Sequence, residues 1–554
     1  MNAERDRRLG AELTPQHASL VVLVVACIAH YAVCRMLTSE IALDVDPINL
    51  VYGMRELNFA HHAPHPPGYL VYVWMLRGLH AIVGGEPLAT VQLAARLLSA
   101  ATLPLLYLAA KILRPQSPMT WGYAAILGAF HPFLVFHAVD AQTHTAEAFA
   151  AGLLLLAVLR YRREPSLGWA VALGALLAFG SALRPSFVVA GLGPVLWAIG
   201  WRHASHWAAA GATSLAGAAT WLWPTLRASG GYAQWKAAND ALVQQVFVRV
   251  NSPLSADSID GFVHYNVAST SLWLALLIAP AAVVMVACGR AERPAPAYDD
   301  ARWIAAWSVV PSAAFYLSMF CSEPGYLLGA MPPVVVLTAV AASEARSIAR
   351  RRVCYGLGAL MQIGVLMLPS APPRFPISKV PSIAEIVGRE AIYREALTRI
   401  AAQVPPNARV LYVTDHVDVT FSRQLPVHHP SLHAMIIQSE HWPIFEHTTI
   451  GLATQDDWIP IPGPILLQPG PPTIAELPFS YDFIVVGLIA SDDLRKELRK
   501  HTICAVDEIE GESQVRVLPA QRCFPDGVIE AHGQGIRFQL PDSSAALVAP
   551  PSRG

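Results

Sequence analysis

Asp44-Val45-Asp46-Pro47, followed after an apolar-periodic stretch by His61-His62-Ala63-Pro64-His65-Pro66-Pro67-Gly68-Tyr69, stands directly after the first hydrophobic run of the chain. Carboxylates and histidines beside a bilayer are costly to desolvate, so a chain that keeps them there marks a site at the membrane surface. Pro66 and Pro67 fix the backbone, Gly68 permits a tight turn, and Tyr69 opens the next apolar-periodic stretch. Stiffness of this kind holds a site in position as well as connecting two helices.

The surrounding chain is 54% hydrophobic and 14% charged over 554 residues, with a mean hydropathy of +0.40. Soluble domains carry about 25% charged residues, so much of this chain must face lipid. The net charge of −1 points to no partner, because opposite charges are segregated along the chain. No basic stretch interleaves with aromatics, which excludes nucleic-acid binding. Seven cysteines form no CxxC pair. Cys27, Cys34, Cys288, Cys321 and Cys354 lie in or beside apolar runs and read as small buried hydrophobes. Cys504 and Cys523 flank an apparent strand hairpin, and a disulfide between them is left open.

With a window of roughly 20 apolar residues, about 11 transmembrane helices are expected. They fall near 19–37, 89–110, 119–139, 143–161, 166–183, 185–201, 205–225, 269–288, 303–321, 326–344 and 353–370. Lys and Arg cluster in alternate loops, which predicts a cytoplasmic N-terminus and, with an odd number of spans, an extracytoplasmic C-terminus. The expected fold is therefore a polytopic α-helical membrane protein whose spanning domain covers 1–370. Its first outer loop, 38–88, holds two stretches near 47–59 and 69–84 that read as helices lying in the interface. A second outer loop, 226–268, opens with Ser229-Gly230-Gly231-Tyr232. Residues 371–540 alternate a helix pattern near 381–403, strands at 409–413 and 482–487, and a charged helix near 491–500, the pattern of a small extracytoplasmic α/β domain. The tail 541–554 reads as disordered.

Asp44 and Asp46, at i and i+2 beside an apolar environment, suit general-base work if burial raises their proton affinity. Asp46-Pro47 is also a good helix start, with the Asp as cap. His61, His62 and His65 lack an obvious fourth metal donor nearby, and read more simply as hydrogen-bonding or phosphate-contacting groups. Glu147 lies in the first turn of an apolar span with Asp140 and His144 at its mouth, where helix-terminus electrostatics is the plain account and acceptor binding the functional one. Glu323 could likewise cap a helix through Pro324 or contact a sugar.

The long first loop with an acidic residue after the first span, two interfacial helices and Pro64-His65-Pro66-Pro67-Gly68-Tyr69 between them resembles the GT-C superfamily of membrane glycosyltransferases. It is closest to the protein mannosyltransferase and lipid-A aminoarabinose transferase-like branch. His131-Pro132, Glu147, Arg184, Trp223-Pro224, Ser229-Gly230-Gly231, Glu323-Pro324-Gly325-Tyr326 and Met331-Pro332-Pro333 agree, over roughly 15–345. Many members carry an adjacent acidic pair in the first loop; here the pair is Asp44-Val45-Asp46, so which of the two acts is open.

The resemblance implies transfer of a sugar from a polyprenyl-phosphate carrier to a hydroxyl at the outer membrane face, with inversion. Asp46 or Asp44 would be the base. Arg96, Arg184 and Arg227, near outer ends of spans, would hold the phosphate, against a plain reading as snorkelling side chains for Arg184 and Arg227. His65, Tyr69, Glu147, Glu323 and Tyr326 complete the substrate-binding set. No metal ligands are assigned, and a divalent metal is left open as cofactor. The implied partners are the lipid-linked donor, a lipid, polysaccharide or protein acceptor, and membrane lipid, in a cell inner membrane. The rival class is a lipid or sugar transporter or flippase, which would place ionisable groups near the bilayer midplane and show repeated spans. No internal repeat is evident.

Overall fold

The computed structural model of the chain describes residues 14–57, 59, 63–201, 203–242, 262–288, 296–319, 323–370, 380–415, 419–429, 433–439, 449–453, 458–460, 474–486, 515–524, 526–531 and 534–539. His61, His62, Cys504, the expected helix near 491–500 and the tail 541–554 lie outside these residues.

Among the described residues, each predicted hydrophobic segment is helical over most of its length. In chain order the helices are α1 Pro15–Leu37, α2 Val45–Arg55, α3 Leu70–Val83, α4 Pro87–Leu113, α5 Pro118–Ala129, α6 Pro132–Asp140, α7 His144–Arg163, α8 Leu167–Leu183, α9 Phe187–Ile199 and α10 Ala204–Ala228. They continue with α11 Tyr232–Leu242, α12 Ser269–Cys288, α13 Pro296–Ser318, α14 Met331–Ser343 and α15 Ile348–Leu366. A tighter 3₁₀ segment, Pro324–Ala330, leads into α14.

Among the described residues, four helical segments are long and apolar enough to cross a membrane: Pro15–Leu37, Pro87–Leu113, Asn266–Cys288 and Pro324–Ser343. Pro118–Ala129 and Pro132–Asp140 add a fifth if they form one span. This is a polytopic membrane fold. The sequence suggests one unbroken helix over 119–139, whereas the structure bends it by 46°. Pro132 offers no amide donor, and the residue before a proline is pushed out of the helical region. His131 is accordingly extended, at φ −66° and ψ 120°.

The chain divides into two compact units, Met1–Glu40 with Glu56–Gly388, and Ile41–Arg55 with Arg389–Gly554. The sequence suggests that the whole first loop belongs to the spanning domain, and here the structure differs. Ile41 joins an apolar core with Ala396, Leu397, Ile400, Val410, Tyr412 and Leu425. The Ala42 amide donates to Gln424 Oε1 at 2.9 Å, and Gln424 Nε2 donates back to the Ala42 carbonyl at 2.8 Å. The Tyr52 hydroxyl donates to the Arg423 carbonyl at 3.1 Å, beneath the Arg423 guanidinium. Two buried backbone groups and an apolar side chain find partners in the C-terminal part of the chain, with which the segment groups.

That second unit contains α16 Ile383–Gln403, most of which it holds, and α17 Val419–His428. Its strands are β1 Arg409–Asp415, β2 His433–Ser439, β3 Thr449–Ala453, β4 Trp458–Pro460, β5 Ile474–Ser480, β6 Phe483–Val486, β7 Arg516–Pro519, β8 Val528–Ala531 and β9 Gln534–Gln539. One sheet runs β4-β3-β2-β1-β6-β7 and another β5-β9-β8. The central strand β1 lies parallel to both β2 and β6, with Val410 beside Ala434 and Phe483. Cys523 is disulfide-bonded.

Candidate active site

In the first unit, residues that the sequence scatters between His65 and Tyr326 converge on one buried ion pair. Glu147 in the first turn of α7 is 1% exposed, and Arg184, just past the end of α8, is 5% exposed. Arg184 Nε lies 3.0 Å from Glu147 Oε2 and donates to Ser186 Oγ at 3.1 Å, while Nη1 donates to Thr143 Oγ1 at 2.6 Å. An arginine held by three oxygens does not snorkel, so that account of Arg184 falls. Nor is Glu147 simply answering a helix terminus, since its carboxylate is matched by a full guanidinium charge. Removing one member of such a pair costs about 3–5 kcal/mol, because the other is left charged and desolvated.

Aromatic rings surround the pair. The Arg184 guanidinium lies 5.4 Å from the Tyr326 ring centroid and 5.9 Å from that of Tyr69, within cation–π range. Tyr69 shares a 3.1 Å hydrogen bond with His65 through its hydroxyl. Tyr326 packs against His144 and Tyr316, at 5.3 and 5.0 Å between centroids. His144 lies against His137 with ring centroids 4.7 Å apart and planes tilted by 55°, and its Nδ1 lies 4.0 Å from Glu147 Oε2.

Local backbone explains the convergence. Helix α6 ends at Asp140 with Ala141 in the left-handed region, φ 61°, and the chain turns straight into α7. His137 and His144 are thereby brought into contact. The segment Pro324–Ala330 then lies against them, and two glycines permit the approach. A Cβ on Gly325 would sit 2.4 Å from His144 Cδ2 and 2.6 Å from His137 Nε2; one on Gly329 would sit 2.7 Å from Glu147 Oε1. His137, His144 and Glu323 bring one ligand atom each to within 4.8 Å of one another.

Of the residues singled out in the sequence, His65, Tyr69, Glu147, Arg184 and Tyr326 belong to this chain of contacts, and Glu323 joins it through the histidines. Arg96 is buried on α4, under Tyr31 at 6.0 Å, and takes part in none of the contacts just described. Arg227 is exposed in the last turn of α10. Glu323 precedes its helix without a side-chain capping bond, which removes the cap account. Asp44 and Asp46 fall in the second unit. The carboxylate that caps α2 is Asp44, whose Oδ1 accepts the Asp46 amide at 3.0 Å, two residues before the expected Asp46. Sequence reasoning gave no role to His137, Thr143, Ser186, Tyr316, Gly325 or Gly329. His137 had a usable signal: an ionisable residue inside an apolar span is a functional candidate wherever it occurs.

No family model matches the chain, and no curated protein matches it in sequence. Among solved structures it is similar to ArnT from Cupriavidus metallidurans in the apo state, with a TM-score of 0.49 and 16% identity over 75% of this chain and 85% of that one. The same protein bound to undecaprenyl phosphate gives a TM-score of 0.47 and 14% identity over 76% of this chain and 92% of that one. Arabinofuranosyltransferase AftD from Mycobacteria gives 0.39 and 16% identity over 70% of this chain but only 29% of that one.

Proposed function

We propose that the protein is a membrane glycosyltransferase that moves a sugar from a polyprenyl-phosphate carrier to an acceptor hydroxyl, with inversion, at the extracytoplasmic face of a cell inner membrane. The observation that carries this reading is the buried Glu147–Arg184 pair ringed by Tyr69, Tyr326 and His144, among the ends of apolar helices. A lipid-linked sugar phosphate needs this mixture: apolar walls for a prenyl chain, aromatic faces for a sugar, and fixed charge where the phosphate separates. Undecaprenyl phosphate, which one of the ArnT structures holds, belongs to the same carrier class.

The reaction is a single displacement. Asp46 or Asp44 takes the proton of the acceptor hydroxyl, the oxygen forms a bond to the anomeric carbon, and the bond from that carbon to the phosphate oxygen breaks. The carrier leaves as polyprenyl phosphate with both electrons of the broken bond. Tyr69 and Tyr326 bear on the sugar, His65 orients Tyr69, and Arg184 positioned by Glu147 contributes to the field at the phosphate. Arg96 and Arg227 serve the carrier headgroup on its approach. The acceptor is a lipid, a polysaccharide or a protein hydroxyl, and the C-terminal α/β domain is extracytoplasmic.

The test is carrier release by the purified full-length chain, in lipid nanodiscs, from defined polyprenyl-phosphate sugars. Asp46→Asn or Asp44→Asn is expected to slow release by about 100-fold or more, the usual contribution of a positioned base. Unchanged release in both variants would defeat the base assignment, and no release with any donor would defeat the reading.

A further inference from the structure

We propose that the first unit binds an anionic glycerophospholipid at the opposite end of its helices from the Glu147–Arg184 pair, with the phosphate on Arg350 and Arg352 and an acyl chain along α15. The site does not depend on the transferase reading. Its place follows from the helices. α5 starts at Pro118, and its bent continuation α6 runs into the Ala141 turn that precedes Glu147. α14 starts just after Gly329, which lies against Glu147, and leads away to Ser343. The start of α5, the end of α14 and the start of α15 therefore share the far end. Arg114, the cap of α4, pairs there with Glu344, and the Thr120 and Tyr355 hydroxyls share a 3.3 Å hydrogen bond.

Charge at this end is one-sided. Residues 111–120 and 344–355 hold Lys111, Arg114, Arg346, Arg350, Arg351 and Arg352 against the single carboxylate of Glu344. Arg114 takes that carboxylate. Burial, and then the neighbouring Arg351, lower the pKa of Arg114 from its ordinary value, so the two guanidiniums repel each other. Their Nε atoms are buried and have no hydrogen-bond partner among the described residues. Arg350 Nε donates to the Ala287 carbonyl at 2.8 Å and Arg351 Nη2 to the Ala345 carbonyl at 3.4 Å. These bonds hold the side chains without cancelling their charge. Arg346, Arg350 and Arg352 are exposed. A phosphodiester accepts from several guanidinium donors at once and supplies the missing negative charge.

The apolar surface below the arginines selects a lipid over a free phosphate. Ile348 and Val353 flank the arginine run and are 64% and 63% exposed. Leu360 and Met367, each 66% exposed, follow Val353 at seven-residue intervals along α15 and its cap. Seven residues are close to two helical turns, so the three side chains line one side of the helix. Guanidiniums at the head of an apolar stripe match a phospholipid, whose charge sits above its chains. A free phosphate leaves the stripe unused.

The test uses the full-length chain, delipidated in neutral detergent, and native mass spectrometry with phosphatidylglycerol, phosphatidylcholine serving as the zwitterionic control. Phosphatidylglycerol should stay bound under conditions that strip phosphatidylcholine. Arg350→Gln together with Arg352→Gln should weaken its retention roughly 30-fold, at about 1 kcal/mol for each basic residue facing an anionic lipid. Arg302→Gln removes an exposed arginine already paired with Asp299 on α13 and should leave retention unchanged. Equal retention of the two lipids, or a folded double variant that binds like the wild type, would overturn the proposal. So would displacement of the lipid by an equal concentration of glycerol 3-phosphate, because the apolar stripe would then take no part. Cross-linking of Val353→Cys to a second copy of the chain, with no lipid retained, would replace the lipid by a protein contact. Should the double variant fail to fold, ionic strength decides on the wild type: retention that does not fall between about 0.1 M and 1 M salt, where the screening length drops from about 10 Å to 3 Å, sinks the site.

Discussion

The two units differ most in what their helices turn outward. In the first, α1 turns Leu20, Val21, Val24, Val25 and Ile28 outward, while Arg184, Glu147, His137 and His144 are sealed inside. In the second, Ile41, Leu397, Ile400, Val410, Tyr412, Leu425 and Val485 make an apolar core, and α16 carries its charges outside as Glu390–Arg394 and Glu395–Arg399 pairs. One rule yields both patterns once the solvent differs. In water, folding is driven by removing apolar surface, and charges stay out. In lipid, apolar surface is indifferent to being outside, and a polar side chain is stable only inside, with partners. Buried charge in the first unit therefore marks a site, whereas buried apolar residues in the second mark only a core.

The largest test of this contrast removes a charge from the inverted unit. Glu147→Ala should destabilise the first unit by about 3–5 kcal/mol, and Arg184→Ala by a similar amount, since each leaves its partner charged and desolvated. Replacing both with uncharged residues of similar volume, Glu147→Gln with Arg184→Met, should cost less than the sum of the single losses in thermal melts of detergent-solubilised protein. Strictly additive losses would mean that the two groups do not act as a pair.

A smaller effect is expected from the second unit's core. Leu425→Ala removes a fully buried side chain and should cost about 2–5 kcal/mol. Hydrogen exchange should show the loss in α16 and β1 with little change in α7 and α8; equal loosening of both would break the contrast between the units.

The smallest effect is a pH dependence confined to the second unit. Burial lowers the pKa of His429 from its ordinary 6.5, against the opposing effect of its hydrogen bond to the Leu397 carbonyl. The folded value lies below the unfolded one, so the unfolded chain binds more protons between them and stability rises with pH there. The contribution is complete above about pH 6.5 and is lost as pH falls through the lowered folded value. His429→Gln should flatten this part of the melting-temperature profile, and an unaltered slope would show that another group titrates.

Much of the architecture is present in local pattern. Apolar runs of the right length became helices, the His131-Pro132 dipeptide set a boundary, and the short apolar runs at 409–413 and 482–487 became the parallel neighbours β1 and β6. These features depend on neighbours a few residues away. The polar cluster does not. Arg184 and Glu147 are 37 positions apart, and each alone has a plain reading, one as a snorkelling side chain and the other as helix-end electrostatics. The pairing becomes visible only when α7 and α8 pack.

What the sequence by itself determined is where the chain can tolerate lipid and where it must turn, because hydropathy and the backbone limits of proline and glycine act residue by residue. Only tertiary structure decided that Ile41–Arg55 belongs with the C-terminal unit, and that His137, His144 and Glu323 meet across Gly325. Packing and charge pairing act through space: the partner that satisfies a buried amide or a desolvated carboxylate can come from anywhere along the chain.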